Sequence, residues 1–355
     1  MITDKRVPDM NATKSPTTPR PRIAFAIGCP AGVAPELTAR MLADAEVTSA
    51  AQIIAIGDRR VLDRGAKVAG VTVDLHEIGP DDGVPASSNR PIFIDLKNLD
   101  PATIPVGALS VPAGSSAIAN FKRAISLAAR GDADVVAFSP FNKASMRLGH
   151  PAYEDEIVFV TEMLGVKGSA SEFNILPNLW NARVTSHVPI SGVASLITFD
   201  NVLRGLRLTD SAMREGGYAR PRIAVAGLNP HAGDGGNFGR EEIDFIEPAV
   251  AAAQREGIVC QGPLPSDTVF VRARKGEFDA VLTMYHDQGQ VAMKLIGFDE
   301  GITLLGGFPF PLLTAAHGSA YDIAGKGVAN PGAIRAALLL AAKMGARRVA
   351  AKAAA

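Results

Sequence analysis

Short apolar runs alternating with longer stretches of helical spacing constrain this chain most. Arg22–Gly28 (RIAFAIG) reads as a buried strand, with a helix over Pro35–Ala45 after it. Gln52–Gly57 (QIIAIG) is a second strand, followed by a helix over Asp58–Val68. Ser115–Arg130 carries Ile118, Phe121, Ile125 and Leu127 at helical spacing and precedes a strand over Ala133–Phe138. Nearly continuous apolar strands of this kind are buried on both faces, as in βαβ units with helices covering a parallel sheet.

The second half repeats the theme. Asn181–Ser186 (NARVTS), Arg222–Leu228 (RIAVAGL) and Asp279–Tyr285 (DAVLTMY) read as strands, with a helix over Glu241–Glu256. Gly306–Pro311 is a turn rich in Gly and Pro, and Pro331–Met344 is a final helix. At 355 residues the chain exceeds a typical single core, so two domains are expected. The crossing falls near Asn142–Gly149 and the return after Leu305. That division gives a discontinuous first α/β domain (residues 21–145 and 306–355) and a second over residues 146–305.

The charge balance excludes some functions. Lys and Arg number 36 against 36 Asp and Glu, with no basic tract to neutralise a phosphate backbone, so no nucleic-acid partner is expected. Cys29 and Cys260 form no disulfide framework and lack metal-knuckle spacing, which suits buried thiols in a reducing compartment. No apolar run reaches membrane-helix length. Met1–Arg20 is polar and proline-bearing, unlike a secretory signal. It reads as a flexible arm on a cytoplasmic protein.

Three of the six histidines share one setting. His187 follows RVTS, His231 follows AVAGLNP and His286 follows AVLTMY, each at or just past the carboxyl end of an expected strand. That edge is where open α/β sheets gather ligands. Each histidine alone is equally an ordinary loop residue; three together suit a divalent metal with open positions. Nitrogen ligands favour zinc, with magnesium or manganese as alternatives. Around His231, the glycines of NPHAGDGG permit positive φ and close backbone approach. His286-Asp287-Gln288-Gly289 places a ligand candidate, an acid and an amide in one loop, or else is a helix-capping turn.

No GxGxxG follows any expected strand, so a standard dinucleotide fingerprint is absent. The best cofactor candidate is the stretch from Gly318 to Gly327. Its glycines, Gly318 and Gly325 among them, allow close approach to phosphates, Lys326 offsets their charge, and Ser319 and Asp322 are further candidates within it. The alternative is a surface turn.

The segments GCPAGVAPEL, TSHVP, GLNPHAGDGG, GPLPSDTVF, MYHDQG and HGSAYDIAGKGVA, in this order from Arg22 to Ala329, resemble the 4-hydroxythreonine-4-phosphate dehydrogenase family. The resemblance implies two α/β/α domains like those of isocitrate and isopropylmalate dehydrogenases, with a cleft between them and a homodimer that shares the active site. It implies a divalent metal held by His187, His231 and His286, the last from the partner subunit. It also implies oxidation of a secondary alcohol of a small molecule by hydride transfer to NAD or NADP, with possible loss of carbon dioxide. Asp267 and Asp287 match acidic site positions, and Lys294 matches a substrate-contacting lysine or is a solvated helix position.

Departures from the family pattern bear on the substrate. Cys29 stands where the family has Asp. Spacing from Lys143 puts Glu154, Asp155 and Glu156 where phosphate-binding members carry Gly-His-Thr, and carboxylates repel phosphate. Spacing from Lys294 puts Thr303 and Leu312 at the phosphate-site Asn and Arg; leucine removes the bidentate donor. Ser319 resembles the branch that oxidises the cis-dihydrodiol of terephthalate. The expectation is therefore a metal-dependent dehydrogenase of an unphosphorylated hydroxy acid or dihydrodiol carboxylate. The alternatives are the 4-hydroxythreonine-4-phosphate dehydrogenase of pyridoxal phosphate biosynthesis, or a non-catalytic metal- or ligand-binding member.

Overall fold

A computed structural model describes residues 20–166 and 170–354, so all of the expected arm but Arg20 lies outside the described residues. The chain begins β1 (Arg22–Ala26), α1 (Ala34–Ala43), α2 (Ala45–Ala50), β2 (Gln52–Gly57), α3 (Arg59–Ala69), β3 (His76–Ile78) and β4 (Ile92–Asp95). It continues α4 (Val111–Ala129), β5 (Val135–Phe138), α5 (Lys143–Gly149), α6 (Glu156–Leu164), β6 (Ser171–Leu176), β7 (Leu179–Arg183), α7 (Ile190–Leu196) and α8 (Phe199–Glu215). Then come β8 (Ile223–Ala226), α9 (Glu247–Arg255), β9 (Cys260–Leu264), α10 (Ser266–Arg274), β10 (Ala280–Thr283) and α11 (His286–Gly297). β11 (Ile302–Gly306), β12 (Leu312–Ala315) and α12 (Gly332–Ala354) complete the chain.

The strands join one sheet in the order β3-β4-β2-β1-β5-β12-β11-β6-β7-β10-β8-β9. β3, β4, β2, β1, β5 and β12 run parallel to one another. So do β7, β10, β8 and β9. Between the blocks β11 is antiparallel to both β12 and β6, and β6 is antiparallel to β7. The two parallel blocks therefore run in opposite directions, one in each half of the α/β fold. No helix among the described residues is long and apolar enough to cross a membrane.

Several element ends have local causes. The expected helix over Pro35–Ala45 stops at Ala43 because Asp44 leaves helical φ/ψ and accepts from the amides of Glu46 and Val47, capping α2. The helix expected from Ser115 starts at Val111, where Ser110 caps it and Pro112 occupies the first turn. The last helix runs past Met344 to Ala354 through an Ala-rich tail of high helix propensity. The stretch expected as one helix from Glu241 opens with a π-helical turn, Glu242–Ile246, before α9.

Helices α4 and α5 approach closely at Gly114, where a Cβ would lie 1.8 Å from the Ser145 carbonyl oxygen. α5 is anchored by Asn142, whose Oδ1 accepts from the Ser145 amide at 2.9 Å while its Nδ2 donates to Ser319 Oγ at 3.0 Å. In an open helix Gly→Ala gains about 0.5–1 kcal/mol. Here backbone contact reverses the sign, and Gly114→Ala should cost about 1–3 kcal/mol through overpacking. Urea unfolding checks this, and an unchanged or raised midpoint would show that α5 shifts without penalty.

Candidate active-site cleft

The reversed strands form the floor of a cleft. Cross-strand partners share a face, so Thr314, Thr303 and Asn174 make one row across β12, β11 and β6, beside the row Leu312, Leu305 and Glu172. Two hollows open over this floor and share Glu172, Thr303 and Ala316. One is walled by His286, Gln290 and Lys294 of α11. The other is walled by Lys143, Glu156, His317 and Gly318.

His187 and His286 stand at one end, their ring centroids 5.6 Å apart. Each has a carboxylate behind Nδ1: Asp287 Oδ1 lies 2.6 Å from His286 Nδ1, and Asp155 Oδ2 lies 3.8 Å from His187 Nδ1. A carboxylate accepts, so the nearer contact places the proton of neutral His286 on Nδ1 and leaves Nε2 with its lone pair. That is how metal-ligating histidines are oriented. The donor set therefore fits a divalent metal as two imidazoles, though not as a complete site. Among the described residues no group of three or more His, Cys, Asp or Glu is placed to hold a metal.

The resemblance assigned the in-trans role to His286, but within one chain it is His231 that stands apart, beside Phe238 at a ring separation of 6.1 Å. Its loop is unusual. His231, Ala232 and Asp234 take positive φ of 55°, 53° and 44°, with Gly233 and Gly235 also left-handed. Such conformations cost about 1–3 kcal/mol per non-glycine residue and persist only where the surroundings enforce them.

The remaining expected residues divide. Lys294, Thr303, Glu156 and Gly318 line the cleft. Glu156 is paired with Lys143 at 2.9 Å, and Asp155 caps α6 through the Val158 amide. Glu154 is exposed and lines neither hollow. Leu312 is a correction: it is fully buried in the core and faces no ligand space. Asp267 is exposed on the first turn of α10, outside both hollows. The glycine-rich stretch is split as well. Ser319 is buried, and its carbonyl accepts from the Val33 amide at 3.0 Å. Gly325 lines a separate hollow with Pro30 and Arg64, while Asp322 and Lys326 are exposed. Cys29 contacts the Tyr321 hydroxyl at 3.2 Å, and burial pushes its thiol pKa up, away from thiolate chemistry.

Three cleft groups, Arg183, Gln290 and His317, were not site candidates in the sequence, and Gln288 was read only as the amide of the His286 loop. Arg183 is buried, and its Nη2 reaches Asn174 Oδ1 at 2.8 Å and Glu172 Oε1 at 2.9 Å. Gln290 also donates to Asn174 Oδ1, at 2.7 Å. Gln288 ties two strand ends together: its Oε1 accepts from the Met284 amide at 2.7 Å and its Nε2 donates to the Gly227 carbonyl at 2.8 Å. His317 Nε2 is buried without a hydrogen-bond partner among the described residues. Of these only Arg183 carried a readable signal, as a charge inside the expected strand Asn181–Ser186.

Known proteins resemble this chain along most of its length. The family described as "Pyridoxal phosphate biosynthetic protein PdxA" matches residues 49–341. A relative from Rhizobium meliloti (strain 1021), "Putative 4-hydroxythreonine-4-phosphate dehydrogenase 2", is 56% identical over 336 residues, 95% of this chain and 97% of the relative. The crystal structure of a 4-hydroxythreonine-4-phosphate dehydrogenase from Burkholderia phymatum is 35% identical with a TM-score of 0.77, covering 92% of this chain and 98% of that one. A terephthalate 1,2-cis-dihydrodiol dehydrogenase from Burkholderia xenovorans LB400 is more distant, at 27% identity and a TM-score of 0.65 over 91% and 97%. These similarities back the alternative, a 4-hydroxythreonine-4-phosphate dehydrogenase, better than the expected unphosphorylated substrate.

The Arg183–Glu172 pair yields a stability test. Glu172→Ala leaves a buried guanidinium short of its counter-charge, at an expected cost of about 3 kcal/mol, and Glu172→Ala/Arg183→Met should recover most of it. Chemical denaturation of both variants decides; equal midpoints would show that Arg183 does not depend on Glu172.

Proposed function

Because the chain belongs to the PdxA family, we propose that it is a metal-dependent, NAD(P)-linked dehydrogenase that oxidises the secondary hydroxyl of 4-hydroxythreonine 4-phosphate. The observation that carries this reading is the pair of carboxylate-backed histidines beside a cleft walled by Lys294 and Lys143. The alternative expectation, a non-catalytic member, gains nothing from histidines oriented in this way.

The reaction moves a hydride from the carbinol carbon to the nicotinamide ring and a proton from the hydroxyl to a base, leaving a ketone. His187 and His286 would hold a divalent metal, which would supply Lewis acidity. Asp287 holds the His286 ring, while Asp155 lies 3.8 Å from His187 Nδ1; Asp287, exposed and next to the pair, would also pass the released proton to solvent. The family's arginine position is the buried Leu312, so phosphate charge falls to Lys294. Glu156 is already neutralised by Lys143 and Glu172 by Arg183, so neither opposes the phosphate with a full unpaired charge. The Gly318 end of the glycine-rich stretch borders the same hollow and suits the cofactor.

The third metal donor on this reading is His231 of a second copy, which makes the active unit a homodimer. Exposed Val188, Ile190, Val291 and Leu295 are close in sequence to the histidine pair and supply apolar surface for it.

Purified protein should reduce NAD or NADP with 4-hydroxythreonine 4-phosphate when zinc, magnesium or manganese is present, followed by the absorbance of the reduced nicotinamide. His187→Ala and His286→Ala should each lower kcat/KM by about a hundredfold or more, and Asp287→Asn by about 10–100-fold through ring orientation. Turnover of the terephthalate dihydrodiol but not of the phosphorylated compound would overturn the assignment.

A further inference from the structure

We propose that Glu242 is the positioning residue that holds His231 in its metal-ligating geometry, an inference that rests on the three-histidine reading above. Glu242 is 1% exposed, and its carboxylate is spent on the loop that carries His231. Oε1 accepts from the amides of Leu228 and Asn229, both at 2.8 Å. Oε2 accepts from Asn229 Nδ2 at 2.9 Å. Glu241 takes a further bond from the same side-chain amide, at 2.7 Å. Asn229 is therefore held at its backbone and at its side chain, two residues before His231.

The loop is moulded around this carboxylate. A Cβ on Gly227 would lie 3.1 Å from Glu242 Oε1, and one on Gly233 would lie 2.8 Å from Oε2. The carboxylate thus sits between the two glycines that bracket His231, and the left-handed run from His231 to Gly235 closes over it. Glu242 also opens the π-helical turn before α9. One extra residue in a helical turn re-aims a side chain, and such turns recur at functional sites. Gln288 binds the Gly227 carbonyl from the opposite side, so the loops of His231 and His286 share one anchor point.

No other described group accepts from the Leu228 or Asn229 amides, so loss of the carboxylate removes the constraint that orients His231. Supporting groups of this kind typically govern metal affinity by about 10–100-fold.

The test is metal affinity of the full-length protein, measured by zinc competition with a chromogenic chelator, alongside circular dichroism and thermal unfolding. Glu242→Ala should weaken zinc binding by about 10–100-fold, approaching the loss in His231→Ala, with unchanged secondary structure. Glu242→Gln keeps one accepting oxygen for the two backbone amides and should recover part of the affinity, which also serves if the alanine variant folds poorly. Gly233→Ala, which intrudes on Oε2, should weaken zinc in the same direction. A folded Glu242→Ala with wild-type affinity, beside a His231→Ala that has lost it, overturns the positioning role and leaves the histidine assignment standing. Wild-type affinity in His231→Ala overturns that assignment and the inference with it.

Discussion

Strand β11 runs against both of its neighbours, and the rest of the site depends on that reversal. In open parallel sheets the carboxyl ends of all strands meet one edge, and ligands bind there. Here the two parallel blocks run in opposite directions, so their carboxyl ends open on opposite edges. Groups from both blocks meet over the face of the middle strands instead. Lys143 follows β5 and His286 follows β10, yet they wall adjoining hollows on one floor. A strand pointing the other way at β11 would separate them.

A floor that faces a wet cleft need not be apolar, and this one is not. Arg183 is a buried charge that is costly unless paired, and Glu172 on the neighbouring strand pairs it while remaining part-exposed to the cleft. Lys143 treats Glu156 likewise. Counting letters in the sequence gives three carboxylates aimed at a phosphate. In space one is exposed elsewhere, one backs His187 and one is neutralised by a lysine. The electrostatic argument against a phosphorylated substrate counted three charges at one place, of which the fold pairs Glu156 and leaves Glu154 outside the cleft.

The same local logic explains which elements were legible. β1, β2, β5, β8 and β10 are apolar runs buried on both faces, and that pattern shows in the sequence. β6 reads SEFNIL and β11 reads ITLLG, interrupted by polar residues because one face lines the cleft. Their polarity, which hid them as strands, is the trace of the site they build. His187 and His286 were visible because each follows a recognisable strand. The roles of Glu242 and Gln288 were not, since what they hold lies about 13 residues and 61 residues away and is reached only through folding.

The unequal treatment of the histidines follows from the backbone. His187 and His286 leave adjacent parallel strands, β7 and β10, so ordinary strand spacing of about 5 Å brings their rings together without strain. His231 leaves β8, on the far side of β10, and its loop takes left-handed steps beside Glu242. A chain needing only a local third ligand would not require so constrained a loop. Holding a donor rigidly outward has a physical use when the other two ligands belong to a different molecule, because each surface must then be organised before the two meet. On that reading the strain at His231 and the incomplete donor set at His187 and His286 are one feature seen from its two sides.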